Sequence, residues 1–354
     1  MSKVHNYSAG PCILPQEVFE QASKSIENFN DLNLSLIEIS HRSKDFVKVM
    51  DEARSLVKEV LNVPDNYDVL FLQGGASLQF ISVAYNLLSK KSGYCNTGTW
   101  SKKALNEARI LGEVNEICSS EDKNFNYIPK DYQIPADLDY LHITTNNPIF
   151  GTQYKNLPDC NTLLVADCSS DIFSRDIDYS KFDLLYAGAQ KNMGPAGTTL
   201  VVVKEEILGS IKRKIPSMLD YRVHIDKGSM FNTPPVFAVY TSLLNLQWLD
   251  SKGGIKSIEK INKVKAQTIY SEIDSNPLFD GFANKEDRSM MNATFTLNEP
   301  KLKETFDSMA LEAGLSGING HRSVGGYRAS MYNALPLESV KVLVDVMKNL
   351  EKKA

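Results

Sequence analysis

Leu163-Leu164-Val165-Ala166-Asp167 and Leu184-Leu185-Tyr186-Ala187-Gly188-Ala189-Gln190-Lys191 share one pattern: an apolar run, followed by an ionisable side chain. Val69-Leu70-Phe71-Leu72, Tyr140-Leu141-His142-Ile143 and Leu200-Val201-Val202-Val203 are runs of the same kind. Stretches this short, apolar at successive positions and closed by turn residues, suit strands buried on both faces. That is the environment of a parallel sheet covered by helices on each side. Helical stretches such as 77–88 and 102–111 fall between the runs. The alternation predicts an α/β domain with a mainly parallel sheet over residues 16–252.

From about residue 254 the order changes. A long helix is predicted over 254–273, then a strand over 292–297, a helix over 301–313, a strand over 324–330 and a last helix over 337–350. This describes a small α+β domain over 253–354, which residues 1–15 are expected to join. Two domains also suit a chain of 354 residues, since single cores stop growing near ~250–300 residues.

The composition, 42% hydrophobic and 23% charged, is that of a globular protein and excludes collagen, coiled coil and disorder. A net charge of −4 without a basic block argues against nucleic acid and anionic membrane as partners. No apolar run reaches the ~18 residues that span a bilayer, and residues 1–6 lack the apolar core of a signal peptide. The five cysteines, Cys12, Cys95, Cys118, Cys160 and Cys168, are odd in number and form no C-x-x-C pair. A reduced cytoplasm, with no disulfide framework and no metal site, is expected.

In open parallel sheets, ligands bind beyond the carboxyl ends of the strands. After Leu72 comes Gln73-Gly74-Gly75-Ala76-Ser77, opening a helix. Two glycines let the backbone approach an anion, and the helix start offers free N–H groups, so the loop reads as a phosphate cradle. It lacks the Lys-Ser/Thr of a P-loop and the spaced glycines of a dinucleotide fingerprint. Taken alone, it is equally a tight turn. Asp167 and Lys191, at neighbouring strand ends, are what pyridoxal-phosphate chemistry requires. The amine condenses with the cofactor aldehyde, and the carboxylate keeps the pyridine nitrogen protonated. Separately they would be a cap and a surface charge; beside an anion loop they favour the cofactor. Trp100, following Asn96-Thr97-Gly98-Thr99, is either a platform for the ring or a core aromatic.

Longer blocks carry a family resemblance. Glu38-Ile39-Ser40-His41-Arg42-Ser43, Gly74-Gly75-Ala76-Ser77, Val165-Ala166-Asp167-Cys168-Ser169-Ser170-Asp171, Gly188-Ala189-Gln190-Lys191-Asn192, Met230-Phe231-Asn232-Thr233-Pro234-Pro235 and Gly320-His321-Arg322-Ser323-Val324-Gly325-Gly326-Tyr327-Arg328-Ala329-Ser330 occur in order along nearly the whole chain. Together they resemble the phosphoserine aminotransferases. The resemblance implies a fold-type-I pyridoxal-phosphate enzyme, a cytoplasmic homodimer. Such an enzyme moves an amino group between glutamate and 3-phosphohydroxypyruvate for serine biosynthesis. In many bacterial members it also acts on the phosphorylated hydroxythreonine precursor of pyridoxine. By motif, Lys191 is implied to carry the cofactor as a Schiff base and to shuttle the proton. Asp167 is implied to pair with the pyridine nitrogen, and Trp100 to stack on the ring. Ala76, Ser77 and Gln190 would hold the cofactor phosphate, with Asn232 and Thr233 reaching across from the other subunit.

A phosphorylated amino acid carries a carboxylate and a phosphate, and arginine's planar fork suits both. Arg328 resembles the family's α-carboxylate clamp. His41, Arg42, His321 and Arg322 resemble its phosphate pocket, the first two supplied by the partner chain. Two His-Arg pairs in a chain with five histidines favour a doubly anionic substrate over that of an alanine–glyoxylate-type transaminase. None of the cysteines sits in an evident flexible loop, as a cysteine desulfurase would need. A binding protein that kept the fold without turnover is disfavoured by the intact Lys191 and Asp167.

One position departs from the pattern. In Thr144-Thr145-Asn146-Asn147-Pro148-Ile149-Phe150-Gly151-Thr152 the family usually has threonine where this chain has Pro148. That threonine donates to the cofactor's phenolic oxygen, O3′. Proline has neither hydroxyl nor N–H to donate. Thr145, Thr152 or a water supplies the donor instead, or O3′ lacks one; the expectation is that it lacks one.

Overall fold

The computed structural model describes residues 4–354. Seven strands form the main sheet: β1 (Tyr67–Leu72), β2 (Lys91–Asn96), β3 (Glu113–Ser119), β4 (Tyr140–Thr144), β5 (Leu163–Asp167), β6 (Leu184–Gly188) and β7 (Thr199–Lys204). Their spatial order is β1-β7-β6-β5-β4-β2-β3. The pairs from β6 to β3 are parallel, whereas β7 runs antiparallel to both β1 and β6. The Leu200–Val203 run is therefore not a parallel strand as its composition suggested. Only residues 189–198 join β6 to β7, with no helix among them, and Ala189 N–H donates to Thr198 O at 3.1 Å. A connection that short cannot carry the chain back across the sheet face, so the strand returns antiparallel.

β2 and β3 have no counterpart among the apolar runs. Lys91-Ser92-Gly93-Tyr94-Cys95-Asn96 is polar in composition although mostly buried, and β3 is the half-exposed edge strand. All five strands around the cofactor loop positions still deliver their C-terminal ends to one edge, because β1 runs the same way as β6, β5, β4 and β2.

Successive strand residues face opposite helix layers. α1 (Gln16–Glu27) packs on the Val236–Ser251 helix, and Leu200 and Val202 join a core with α2 (Lys44–Leu61) and that same helix. Val201 and Val203 join another with α3 (Gly75–Leu87) and α4 (Thr99–Ala108). α2 follows the amphipathic period, burying Phe46, Met50, Ala53, Val57 and Leu61, and Ser43 caps it by accepting from Phe46 N–H.

A separate core gathers Ala266, Ile269 and Ile273 of the Gly254–Ser275 helix, Phe306, Leu343 and Met347. Its three-stranded sheet is antiparallel, in the order Phe279–Gly281, Asn292–Leu297, Tyr327–Ser330. The last of these strands starts at Tyr327 and not at 324, because Gly325 and Gly326 turn the chain at φ +76° and +57°. His5–Asn6 pairs with Leu315–Ser316, and Tyr7 is buried in this second core. Lys265 fixes the segment after Tyr327–Ser330: its ammonium donates to the carbonyls of Met331, Tyr332 and Leu335 at 3.0, 2.8 and 3.1 Å. Asn333 N–H donates to Asn192 Oδ1 at 2.9 Å. These bonds set the strand bearing Arg328 against the loop bearing Lys191.

Candidate active site

A cavity of about 300 Å³ opens at the C-terminal edge of the parallel strands. Asp167, the last residue of β5, stands in its floor and is 5% exposed. Ser169 orients it: the Ser169 N–H donates to Asp167 Oδ1 at 2.9 Å, while Ser169 Oγ accepts from Gly188 N–H at 3.1 Å. Burial raises the Asp167 carboxyl above its ordinary range, and the nearby Lys191 opposes the shift.

Lys191 lies in the turn after β6, beside Gln190. The N-terminal segment braces that turn, with Cys12 N–H donating to Gln190 O at 3.2 Å and Cys12 Sγ to Lys191 O at 2.8 Å. Burial lowers the Lys191 amine, and Asp167 pulls the other way. A lysine biased toward its neutral form is a better nucleophile for a carbonyl carbon.

The start of α3 forms a second wall through Gly75, Ala76 and Ser77. Gly74 precedes it at φ +88°, where a Cβ would lie 2.5 Å from Leu78 Cδ2. No side chain caps this helix, so its first N–H groups and dipole face the cavity, an arrangement suited to phosphate. Trp100, in the first turn of α4, closes another side; its Nε1 is buried without a partner.

The C-terminal part of the chain, around the second core, supplies Arg328 and His321. Arg328 Nη1 donates to Pro148 O at 3.2 Å, and its Nε has no partner. His321 Nδ1 accepts from Ser323 N–H at 3.2 Å. Burial, followed by the charges of Arg328, Arg322 and Lys103, lowers the His321 pKa. That cluster of positive charge is a site for an anion.

Eight of the residues singled out in the sequence thus share this cavity: Ala76, Ser77, Trp100, Asp167, Gln190, Lys191, His321 and Arg328. Five do not reach it. Arg322 is exposed in the turn beside His321. His41 is buried with Nε2 unpartnered and Arg42 is exposed, both just before α2. Asn232 and Thr233 lie on the segment before the Val236–Ser251 helix, where Thr233 O accepts from Gln73 Nε2 at 2.6 Å. Ser169 and Thr144 line the cavity without having been assigned to it. The strand-end rule that singles out Asp167 also points to Thr144. The two threonines considered as replacement donors do not line the cavity: Thr145 Oγ1 donates to Asp171, and Thr152 Oγ1 accepts from Asn147 Nδ2.

The class-V aminotransferase family model matches residues 4–343. The phosphoserine aminotransferase of Flavobacterium johnsoniae is 64% identical over 99% of both chains. The chain belongs to the phosphoserine aminotransferase family. Among solved structures, the family's enzyme from Bacillus circulans subsp. alkalophilus superposes with a TM-score of 0.96 at 39% identity, covering 99% of each chain. The pyridoxal-phosphate-bound phosphoserine aminotransferase of Trichomonas vaginalis superposes at 0.93, with 35% identity over 98% of this chain and 100% of that one.

The cavity fits pyridoxal phosphate, the cofactor bound in the Trichomonas vaginalis enzyme. It joins an uncapped helix start for the phosphate, a buried carboxylate for the ring nitrogen and a lysine for the aldehyde. Three buried polar atoms without protein partners, Trp100 Nε1, Thr144 Oγ1 and Arg328 Nε, also border it.

Proposed function

We propose that this chain is a pyridoxal-phosphate-dependent aminotransferase that moves the amino group of glutamate to 3-phosphohydroxypyruvate, giving 2-oxoglutarate and O-phosphoserine. The observation that carries the proposal is the convergence of Lys191, Asp167, the α3 N-terminus and Arg328 on one cavity.

The cofactor, when bound, supplies the electron sink for the charge left when the substrate Cα loses its proton. Ala76, Ser77 and Gln190 bind its phosphate, and Asp167 holds a proton on its ring nitrogen. Trp100 covers the ring and excludes water. Lys191 Nζ first anchors the cofactor. Once displaced by the substrate amine, it takes the proton from Cα and later returns one in the opposite half of the cycle. Arg328 orients the α-carboxylate with its fork. His321 and Arg322 meet the substrate phosphate at the rim.

His41, Arg42, Asn232 and Thr233 complete the site from a second copy of the chain. Their position away from their own cavity supports this, as do exposed apolar side chains on the same surface segments, among them Ile37 and Phe231. All five cysteines carry free thiols, which supports a reducing, cytoplasmic setting. No helix among the described residues is long and apolar enough to cross a membrane.

The test is turnover by the purified protein with glutamate and 3-phosphohydroxypyruvate, following both products. Phosphoserine and 2-oxoglutarate should form in equal amounts. An equal rate with unphosphorylated hydroxypyruvate would remove the phosphate-recognition part of the proposal.

A further inference from the structure

Thr144 ends β4 and pairs in register with Asp167 on β5. Partners in a parallel ladder sit about 4.8 Å apart and point to the same face, and both side chains border the cavity. Thr144 is 2% exposed, and its Oγ1 has no hydrogen-bond partner. Buried hydroxyls are nearly always paired, so an unpartnered one aimed into a binding cavity marks a contact for the occupant.

The order of the strands says which atom of the occupant that is. From one side of the site to the other, the strand ends present the cradle after β1, Lys191 after β6, Asp167 on β5 and Thr144 on β4. In pyridoxal phosphate the phosphate arm and the phenolic oxygen O3′ flank the aldehyde carbon on opposite sides, and the ring nitrogen lies across the ring from it. With the nitrogen at Asp167, the aldehyde at Lys191 and the phosphate on the β1 side, the O3′ edge is left facing β4.

On the β4 side, no other cavity-lining residue of the 144–152 segment offers O3′ a free side-chain donor. Pro148 has none to give, and its carbonyl already accepts from Arg328. Asn146 spends Nδ2 on Ser170 Oγ and Asn292 Oδ1, at 2.9 and 2.8 Å, and its Oδ1 accepts from Ser289. Thr145 donates to Asp171, and neither Thr145 nor Thr152 lines the cavity.

We propose that Thr144 is a cofactor-binding residue of this site whose hydroxyl donates a hydrogen bond to O3′, a role that rests on the pyridoxal-phosphate reading above. Thr144 then supplies the donor that Pro148 lacks, in place of the expectation that O3′ has none. The bond stabilises the O3′ anion and weakens its hold on the proton shared with Lys191 Nζ. Thr144 thus sets the pH at which that proton is lost. The titratable and charged groups facing the proton are Asp167 from β5, Asp171 after it, Cys12 from the N-terminal segment, Arg328 from the C-terminal three-stranded sheet and Lys191 itself.

The test is a pH titration of the visible absorbance of the holoenzyme, with cofactor retention measured by dialysis. Thr144→Val keeps the shape and removes the donor. Its midpoint should rise by about one pH unit, the shift expected for one charge-assisted hydrogen bond, and cofactor should be lost faster. Thr144→Ser should behave as the native protein. Pro148→Thr should leave the midpoint nearly unchanged, because O3′ already has a donor.

An unchanged midpoint in Thr144→Val overturns the proposal. So do equal shifts in the Val and Ser variants, which would indicate packing and not the hydroxyl. So does a silent Thr144→Val alongside a Pro148→Thr midpoint lowered by about one unit, which would mean that O3′ has no donor in the native protein. Should Thr144→Val fail to fold, Thr144→Ala removes the same hydroxyl and is judged by the same midpoint. A native protein that never develops a lysine-bound cofactor band overturns the pyridoxal-phosphate reading itself, an outcome distinct from all of these.

Discussion

Lys191 and Arg42 are both cations of the proposed site, and the fold treats them in opposite ways. Lys191 is held in a turn braced from two sides, by the N-terminal segment and by β6, and faces the cavity of its own chain. Arg42 is exposed on the turn before α2 and reaches no part of that cavity. The same contrast separates Asp167, Thr144, Gly75 and Ala76 from Asn232, Thr233 and Arg322. The first group is set by strand ends and a helix start, elements that the sheet orients rigidly. The second sits on loops at the periphery. The fold thus divides the proposed site: residues on rigid elements build the reacting centre, and several of the residues proposed to read anions sit on peripheral loops outside their own cavity.

The sharpest way to break that division is at its centre. Lys191→Ala should lower turnover by about 10³-fold or more, within the range for losing a positioned proton carrier. The lysine-bound visible absorbance should disappear, and the thermal unfolding midpoint should stay close to native. If the absorbance survives unchanged, the assignment of the anchoring lysine is wrong.

A milder effect is expected at the periphery. Arg42→Ala and Arg322→Ala should each reduce kcat/KM for phosphoserine by roughly ten- to a hundredfold, matching the 1.5–3 kcal/mol of a hydrogen bond to a charged group. Alanine, which has no second anion, should be affected much less. Parallel losses for both substrates would mean that these arginines support the structure and do not read the phosphate.

The smallest effect tests the shared site directly. Asn232→Ala should weaken cofactor retention by about five- to tenfold, as expected for one hydrogen bond of about 1 kcal/mol or slightly more. The loss should grow as protein concentration falls, because mass action then favours the separated chains. Sedimentation and cofactor release measured across a dilution series would check both parts. A monomer that keeps cofactor and turns over normally would show that the second copy is dispensable.

Several features were readable from residue order alone. The apolar runs ending at Ala166 and Ala187 marked strands, and the groups just beyond them marked the cavity, because a parallel sheet exposes its C-terminal edge to ligands. β2 escaped notice because Lys91, Ser92 and Asn96 give it a polar composition, although neighbouring strands bury it. The direction of β7 escaped notice because apolar content reports burial and says nothing about orientation. Pro148 showed that one donor was missing. It did not show where a substitute would come from, since Thr144, Thr145 and Thr152 are chemically alike in the sequence and differ only in where the fold places their hydroxyls.

By itself, then, the sequence determined the α/β pattern, the lysine–carboxylate pair and the anion loop, because hydrophobic period and side-chain chemistry are local properties. Tertiary structure alone decided the strand order that puts the cradle on one side of Asp167 and Thr144 on the other. It also decided which hydroxyl stays free and which arginines turn away from their own cavity. Those outcomes depend on pairings between residues far apart in the chain, and only the assembled sheet and the C-terminal segments packed against it bring such partners within hydrogen-bonding reach.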